Sequence, residues 1–63
     1  MKVLRLKEVI NITGLSRSTI YELIAQNQFP KQLPLGARAV GWVEEEINNW
    51  ITQQIEARDH ENI

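Results

Sequence analysis

Leu6, Val9, Ile10 and Thr13 step along the chain at i, i+3, i+4 and i+7, the spacing of one helical face, and Gly14 follows at once. Gly14 can adopt a left-handed backbone at little cost, so it closes a predicted first helix running from Leu6 to Ile12 or Thr13 and turns the chain. Two turns of helix do not persist alone in water. The first helix therefore needs an apolar partner, and Ile20, Leu23 and Ile24 supply one on a second predicted helix that ends near Gln26. Ser16 opens that helix, its hydroxyl placed to accept from the N–H of Ser18 or Thr19, with Leu15 before it able to pack on Ile20 as a hydrophobic staple. Arg17, Ser18, Tyr21 and Ala25 fall on a different face of the same helix.

Asn27-Gln28-Phe29-Pro30 stops the second helix, because Asn27 tolerates the terminating conformation and Pro30 pushes Phe29 away from helical angles. Phe29 is expected to plug the core. Residues 31–35 and 39–43 read as extended and are joined by Gly36-Ala37-Arg38, a loop of hairpin length. Pro34 cannot donate a ladder hydrogen bond, which confines it to an outward-facing edge position or a bulge. The result is a small irregular wing with Arg38 near its tip, and Val3-Leu4 form a short strand expected to pair at a sheet edge. From Glu44 to about Arg58, the series Ile47, Trp50, Ile51, Gln54 and Ile55 makes one stripe on the longest predicted helix, which Trp42 joins from just before its start. The acids Glu44, Glu45 and Glu46 complement the dipole at its first turn. Residues 59–63 read as a polar, frayed tail. The expected fold is mostly α with a small β-hairpin wing: a three-helix winged helix-turn-helix over residues 1–58.

A chain of 63 residues makes a single domain with a thin core, and with no cysteine it has neither disulfides nor thiolate metal sites to supplement that core. No apolar run reaches the roughly 20 residues of a membrane span, and the N-terminus lacks the apolar core of a signal peptide. A soluble, unprocessed protein of a reducing cytoplasm is expected, with no membrane partner. The net charge of −1 argues at first against a polyanionic partner. Its distribution reverses that. Residues 1–42 carry six Lys and Arg against two acids, +4, whereas residues 43–63 carry Arg58 against six acids, −5. A basic front and an acidic back would orient the molecule on a polyanion.

Catalytic chemistry lacks its parts, and no enzyme activity is expected. Ser16, Ser18 and Thr19 have no His or Lys base at a sensible spacing. Three consecutive helical glutamates point in three directions and cannot converge on one ion, and His60 stands alone in the tail, so neither a metal nor a cofactor is expected. Gly36 and Gly41 do not form a phosphate loop. Trp50 keeps the phase of the apolar stripe, and both it and Trp42 read as core. There remain Arg17 and Tyr21 at the start of the second helix, Lys31 at the base of the wing and Arg38 at its tip, which a winged arrangement turns to one side. A helix N-terminus carrying such groups suits phosphates and base edges.

The blocks Leu4 to Val9, Thr13-Gly14-Leu15-Ser16-Arg17-Ser18-Thr19-Ile20-Tyr21, Phe29-Pro30-Lys31, Leu35 to Trp42 and Glu46 to Ile51 together resemble AlpA-type prophage regulators. These are similar in fold to excisionases and to the DNA-binding part of MerR-like proteins. The resemblance implies a bacterial or prophage protein that binds double-stranded DNA through the major groove plus the adjacent backbone or minor groove. It would act as a transcriptional regulator in the nucleoid, as an excisionase-like architectural factor, or as both. By position, Arg17, Ser18 and Tyr21 would contact DNA from the recognition helix, with Thr19 and Glu22 beside them, and Lys31 and Arg38 would contact it from the wing. Self-association or contact with an integrase on DNA would be further partners. Glu22 stands where many relatives have Arg, and Pro34 where a basic residue is common. Both reduce positive charge on this face, so either affinity per monomer is low or Glu22 accepts from a cytosine amino group. The rival reading is a protein-interaction adaptor or inhibitor that uses the acidic face of the third helix.

Overall fold

The structure is a computed structural model that describes residues 1–61. Its elements run β1 (Val3–Leu4), α1 (Leu6–Thr13), α2 (Arg17–Ala25), β2 (Leu33–Pro34), β3 (Val40–Val43) and α3 (Glu44–Glu61). Three helices and a small antiparallel sheet form a winged helix-turn-helix, as the hydrophobic pattern predicts.

Both helix stops fall where the sequence places them. Gly14 adopts φ 73° and its N–H donates to the Ile10 carbonyl at 2.8 Å. Thr13 fixes the turn from inside it: its hydroxyl donates to the Val9 carbonyl at 2.8 Å, and Oγ1 accepts from the Leu15 N–H at 3.2 Å. Helix α2 ends in a Schellman arrangement around Asn27 at φ 59°. The Gln28 N–H reaches back to the Leu23 carbonyl at 2.8 Å and the Asn27 N–H to the Ile24 carbonyl at 3.0 Å. An Asn in this position carries the left-handed conformation that Gly supplies after α1.

The sheet has three strands in the order β1-β3-β2, so the wing hairpin is extended by the chain's own N-terminus. Val3 pairs with Val43 and Leu4 with Trp42 on one side of β3; Leu33 pairs with Gly41 and Pro34 with Val40 on the other. Strand β2 is shorter than residues 31–35, and Pro34 sits on the sheet edge, where its missing N–H costs no rung. The Leu35 N–H donating to the Ala39 carbonyl at 2.7 Å closes the hairpin.

Strand β3 passes into α3 with no intervening residue. The Glu44 N–H donates to the Lys2 carbonyl at 2.9 Å, so the pairing of β1 does for this helix start part of what a Ser or Asp cap does elsewhere. Helix α3 continues to Glu61, three residues past the expected end at Arg58; residues 62 and 63 of the expected frayed tail lie outside the described residues.

The core is Leu4, Val9, Ile20, Trp42 and Ile47, one residue each from β1, α1, α2, β3 and α3, with Phe29 from the connection after α2, and Leu6, Ile10, Leu15, Leu23, Ile24, Val40, Trp50 and Ile51 are packed around it. The apolar stripe of α3 outlasts this core. Ile47 is fully buried, Trp50 and Ile51 are half-buried, and Ile55 is 45% exposed, on a shallow groove that it lines with Ile12 and Thr13 at the end of α1.

Candidate nucleic-acid interface

The start of α2 is held from within. Ser16 Oγ accepts from the Thr19 N–H at 3.2 Å and lies 2.9 Å from the Thr19 hydroxyl, so this Ser–Thr pair completes the cap. The N–H groups of Arg17 and Ser18, in the first turn, have no intrahelical acceptor and open toward the region ahead of the helix.

Around α2 the burial is sharply one-sided. Ile20 is fully buried, Thr19, Tyr21, Leu23 and Ile24 are half-buried, and Arg17, Ser18, Glu22 and Ala25 are exposed. At about 100° per residue, Ser18, Ala25 and Glu22 share the outward line, with Arg17 and Tyr21 on its flank. Tyr21 is thus less exposed than its place on the free face of the sequence pattern implies. The Arg17 guanidinium stands 5.8 Å from the centre of the Tyr21 ring, a cation–π contact that joins the two flank residues as one feature.

Lys31 and Arg38 are both exposed, Lys31 on the connection from α2 to the wing and Arg38 in the loop between β2 and β3. Among the described residues, the ion pairs are Lys2 with Glu44 at 4.0 Å and Arg58 with Asp59 at 3.1 Å. No carboxylate neutralises Arg17, Lys31 or Arg38 there, and no cation neutralises Glu22.

Two anchors of this surface escape sequence reasoning. The Trp42 indole N–H donates to the Pro30 carbonyl at 3.0 Å, and the Trp50 N–H donates to the Gln28 carbonyl at 2.7 Å. Between those carbonyls Phe29 is buried, its ring 4.8 Å from that of Trp50 in an edge-to-face arrangement at 63°. The segment that leads into Lys31 is therefore pinned at both ends and in the middle. The signal that could have revealed it is the coincidence of a Phe-Pro block with two tryptophans whose N–H groups each require an acceptor when buried.

The remaining acids do not converge. Among the described residues no group of three His, Cys, Asp or Glu is placed to hold a metal ion, and no helix is long and apolar enough to cross a membrane.

Over 57 residues the chain is 46% identical to an uncharacterized protein, ORF88, of Enterobacteria phage P4, covering 90% of this chain and 65% of that protein's length. Over 60 residues it is 40% identical to the DNA-binding transcriptional activator AlpA of Escherichia coli K12, covering 86% of each chain. Residues 2–55 match the family described as the prophage CP4-57 regulatory protein (AlpA), a span that takes in every strand, both helices of the turn and most of α3, and the chain belongs to that family.

Proposed function

We propose that the chain is a sequence-specific, double-stranded DNA-binding transcriptional regulator of prophage or integrative-element genes, acting in the cytoplasm at the nucleoid. The observation that carries this reading is the uncovered start of α2, with its cap completed internally by Ser16 and Thr19, its outward line exposed and Arg17 held beside it over Tyr21. The E. coli relative, a DNA-binding transcriptional activator, is in keeping with it. In this arrangement Arg17, Ser18 and Tyr21 meet the major groove, with Glu22 on the same outward line. Thr19 acts mainly through the cap, while Lys31 and Arg38 follow the adjacent backbone or minor groove.

A module of this size covers only about 600–1,000 Å² on DNA. Tight occupancy then calls for repeated sites, for self-association, or for a partner such as an integrase bound beside it, and an excisionase-like architectural role would use the same contacts. The distal part of α3, exposed from Thr52 to His60 and bearing Glu56 and Asp59, supports a second reading as an adaptor for a basic protein. Salt-titrated binding to the DNA upstream of its own gene separates the two. About four phosphate contacts give a slope of log affinity on log salt of roughly −3 to −4. A flat response, with recovery of one stoichiometric protein partner instead, favours the adaptor.

A further inference from the structure

Glu22 occupies the middle of the outward line of α2, one turn after Ser18, where helix propensity alone favours a glutamate but, among the described residues, no dipole, ion-pair or packing partner engages it. It lies beyond the first turn, where a carboxylate would complement the helix dipole. Its helical neighbours at i±3 and i±4 are Ser18, Thr19, Ala25 and Gln26, so no Lys or Arg is within reach along the helix. Among the described residues no ion pair engages it, and its exposure rules out a part in the core.

An acceptor-only side chain at the centre of a surface applied to a polyanion is repelled by every phosphate nearby. It is tolerated there when the floor of the groove returns a hydrogen bond. The major groove displays two donors, the N4 amino group of cytosine and the N6 amino group of adenine. Adenine's donor is flanked on both sides by acceptors, its own N7 and the O4 of thymine, and each opposes the second carboxylate oxygen. Cytosine's donor has an acceptor on one side, guanine O6, and a C–H on the other. We infer that Glu22 is a specificity-determining residue that selects a cytosine by accepting from its N4 amino group, so that the preferred site holds a C·G pair beneath the second turn of α2. The inference rests on the reading of α2 as the groove-facing helix.

The test is selection from random duplexes with the native chain and with Glu22→Gln, followed by affinity measurements on the selected site with N4-methylcytosine at the preferred position. Methylation keeps the pair with guanine but replaces the groove-facing N–H. The native chain is expected to enrich one C·G position and to lose about tenfold in affinity on methylation. Glu22→Gln, whose amide both donates and accepts, is expected to move that position toward A·T, to become indifferent to the methyl group and to leave the other positions unchanged. An unchanged motif for Glu22→Gln, bound more tightly at every sequence, overturns the inference and leaves Glu22 a repulsive bystander on a DNA-binding face. Enrichment of no duplex by either protein at low salt overturns the DNA-binding reading itself, and this inference with it.

Discussion

The Trp42 indole N–H and the Pro30 carbonyl, 12 residues apart in sequence, meet at 3.0 Å between the central strand and the segment that leaves α2. Trp42 is fully buried and pairs with Leu4 across the sheet, so one side chain ties β1, β3 and the α2–β2 connection into one body. Pro30 cannot donate from its own nitrogen, but its carbonyl keeps full accepting capacity and here takes the donor that a buried indole must place. The backbone on which Lys31 sits is fixed as a consequence.

Replacing Trp42 by Phe keeps an aromatic ring but removes the donor and part of the packed volume. The loss is expected to be about 2–4 kcal/mol, combining an unpartnered carbonyl with a residual cavity. A domain of this size has only about 3–9 kcal/mol in total. Trp50→Phe removes the corresponding bond to Gln28 at a more exposed position and is expected to cost about 0.5–1.5 kcal/mol. Urea unfolding of the two variants measures the difference, and equal losses would mean that the deeper burial of Trp42 adds nothing to the loss of its bond.

Gly41 makes a separate demand on the sheet. A Cβ there would stand 2.5 Å from Val3 Cγ1, 2.8 Å from Leu35 Cδ1 and 3.0 Å from the Leu4 carbonyl oxygen. Leu35 is exposed and can move aside, but the Leu4 carbonyl belongs to the β1 backbone and cannot. Gly41→Ala is expected to destabilise by about 1–3 kcal/mol through overpacking. Adding Val3→Ala should recover part of the loss, because it removes the nearest obstruction. Thermal melts of the single and double variants check the coupling, and simple additivity would show that the clash lies elsewhere.

How far the sequence discloses this molecule depends on the range of each interaction. The caps at Ser16, Gly14 and Asn27 act within five residues, and the stripes of α1 and α2 face each other across one turn, so periodicity and local chemistry suffice to find them. The clamps of Trp42 and Trp50 span 12 and 22 residues, and nothing local says which carbonyl each indole meets. Pattern fails at Ile55 for another reason: the helical period continues where only the end of α1, at Ile12 and Thr13, lies alongside it. The residues proposed to meet DNA are readable one by one. That Ser18 and Glu22 hold the outward line, with Tyr21 turned partly inward, depends on how α2 rolls against the core.

The end of the α3 stripe gives a direct comparison. Ile47→Ala empties a fully buried position and is expected to cost about 2–5 kcal/mol. Ile55→Ala, eight residues along the same stripe, is expected to cost less, about 1 kcal/mol or below, because nearly half of its surface is already in solvent. Denaturant midpoints of the two variants provide the measurement. A large loss at Ile55 in the isolated chain would mean that the distal helix is covered by another copy.

Arg17 allows binding to be separated from folding. Its guanidinium is exposed and has no ion-pair partner among the described residues; the Tyr21 ring at 5.8 Å is worth about 0.5–1 kcal/mol at such a site. Arg17→Ala is therefore expected to leave the melting temperature within a few degrees of native. On DNA it removes a cation from the start of the helix proposed to face the groove, with an expected loss of about tenfold or more. Ile20→Ala, a fully buried position on the same helix, should do the reverse: at about 2–5 kcal/mol it unfolds much of a domain this small, and binding falls with the folded fraction. Circular dichroism melts and fluorescence anisotropy on one labelled duplex measure both. If Arg17→Ala binds as tightly as the native chain while remaining folded, the start of α2 is not the surface that meets DNA.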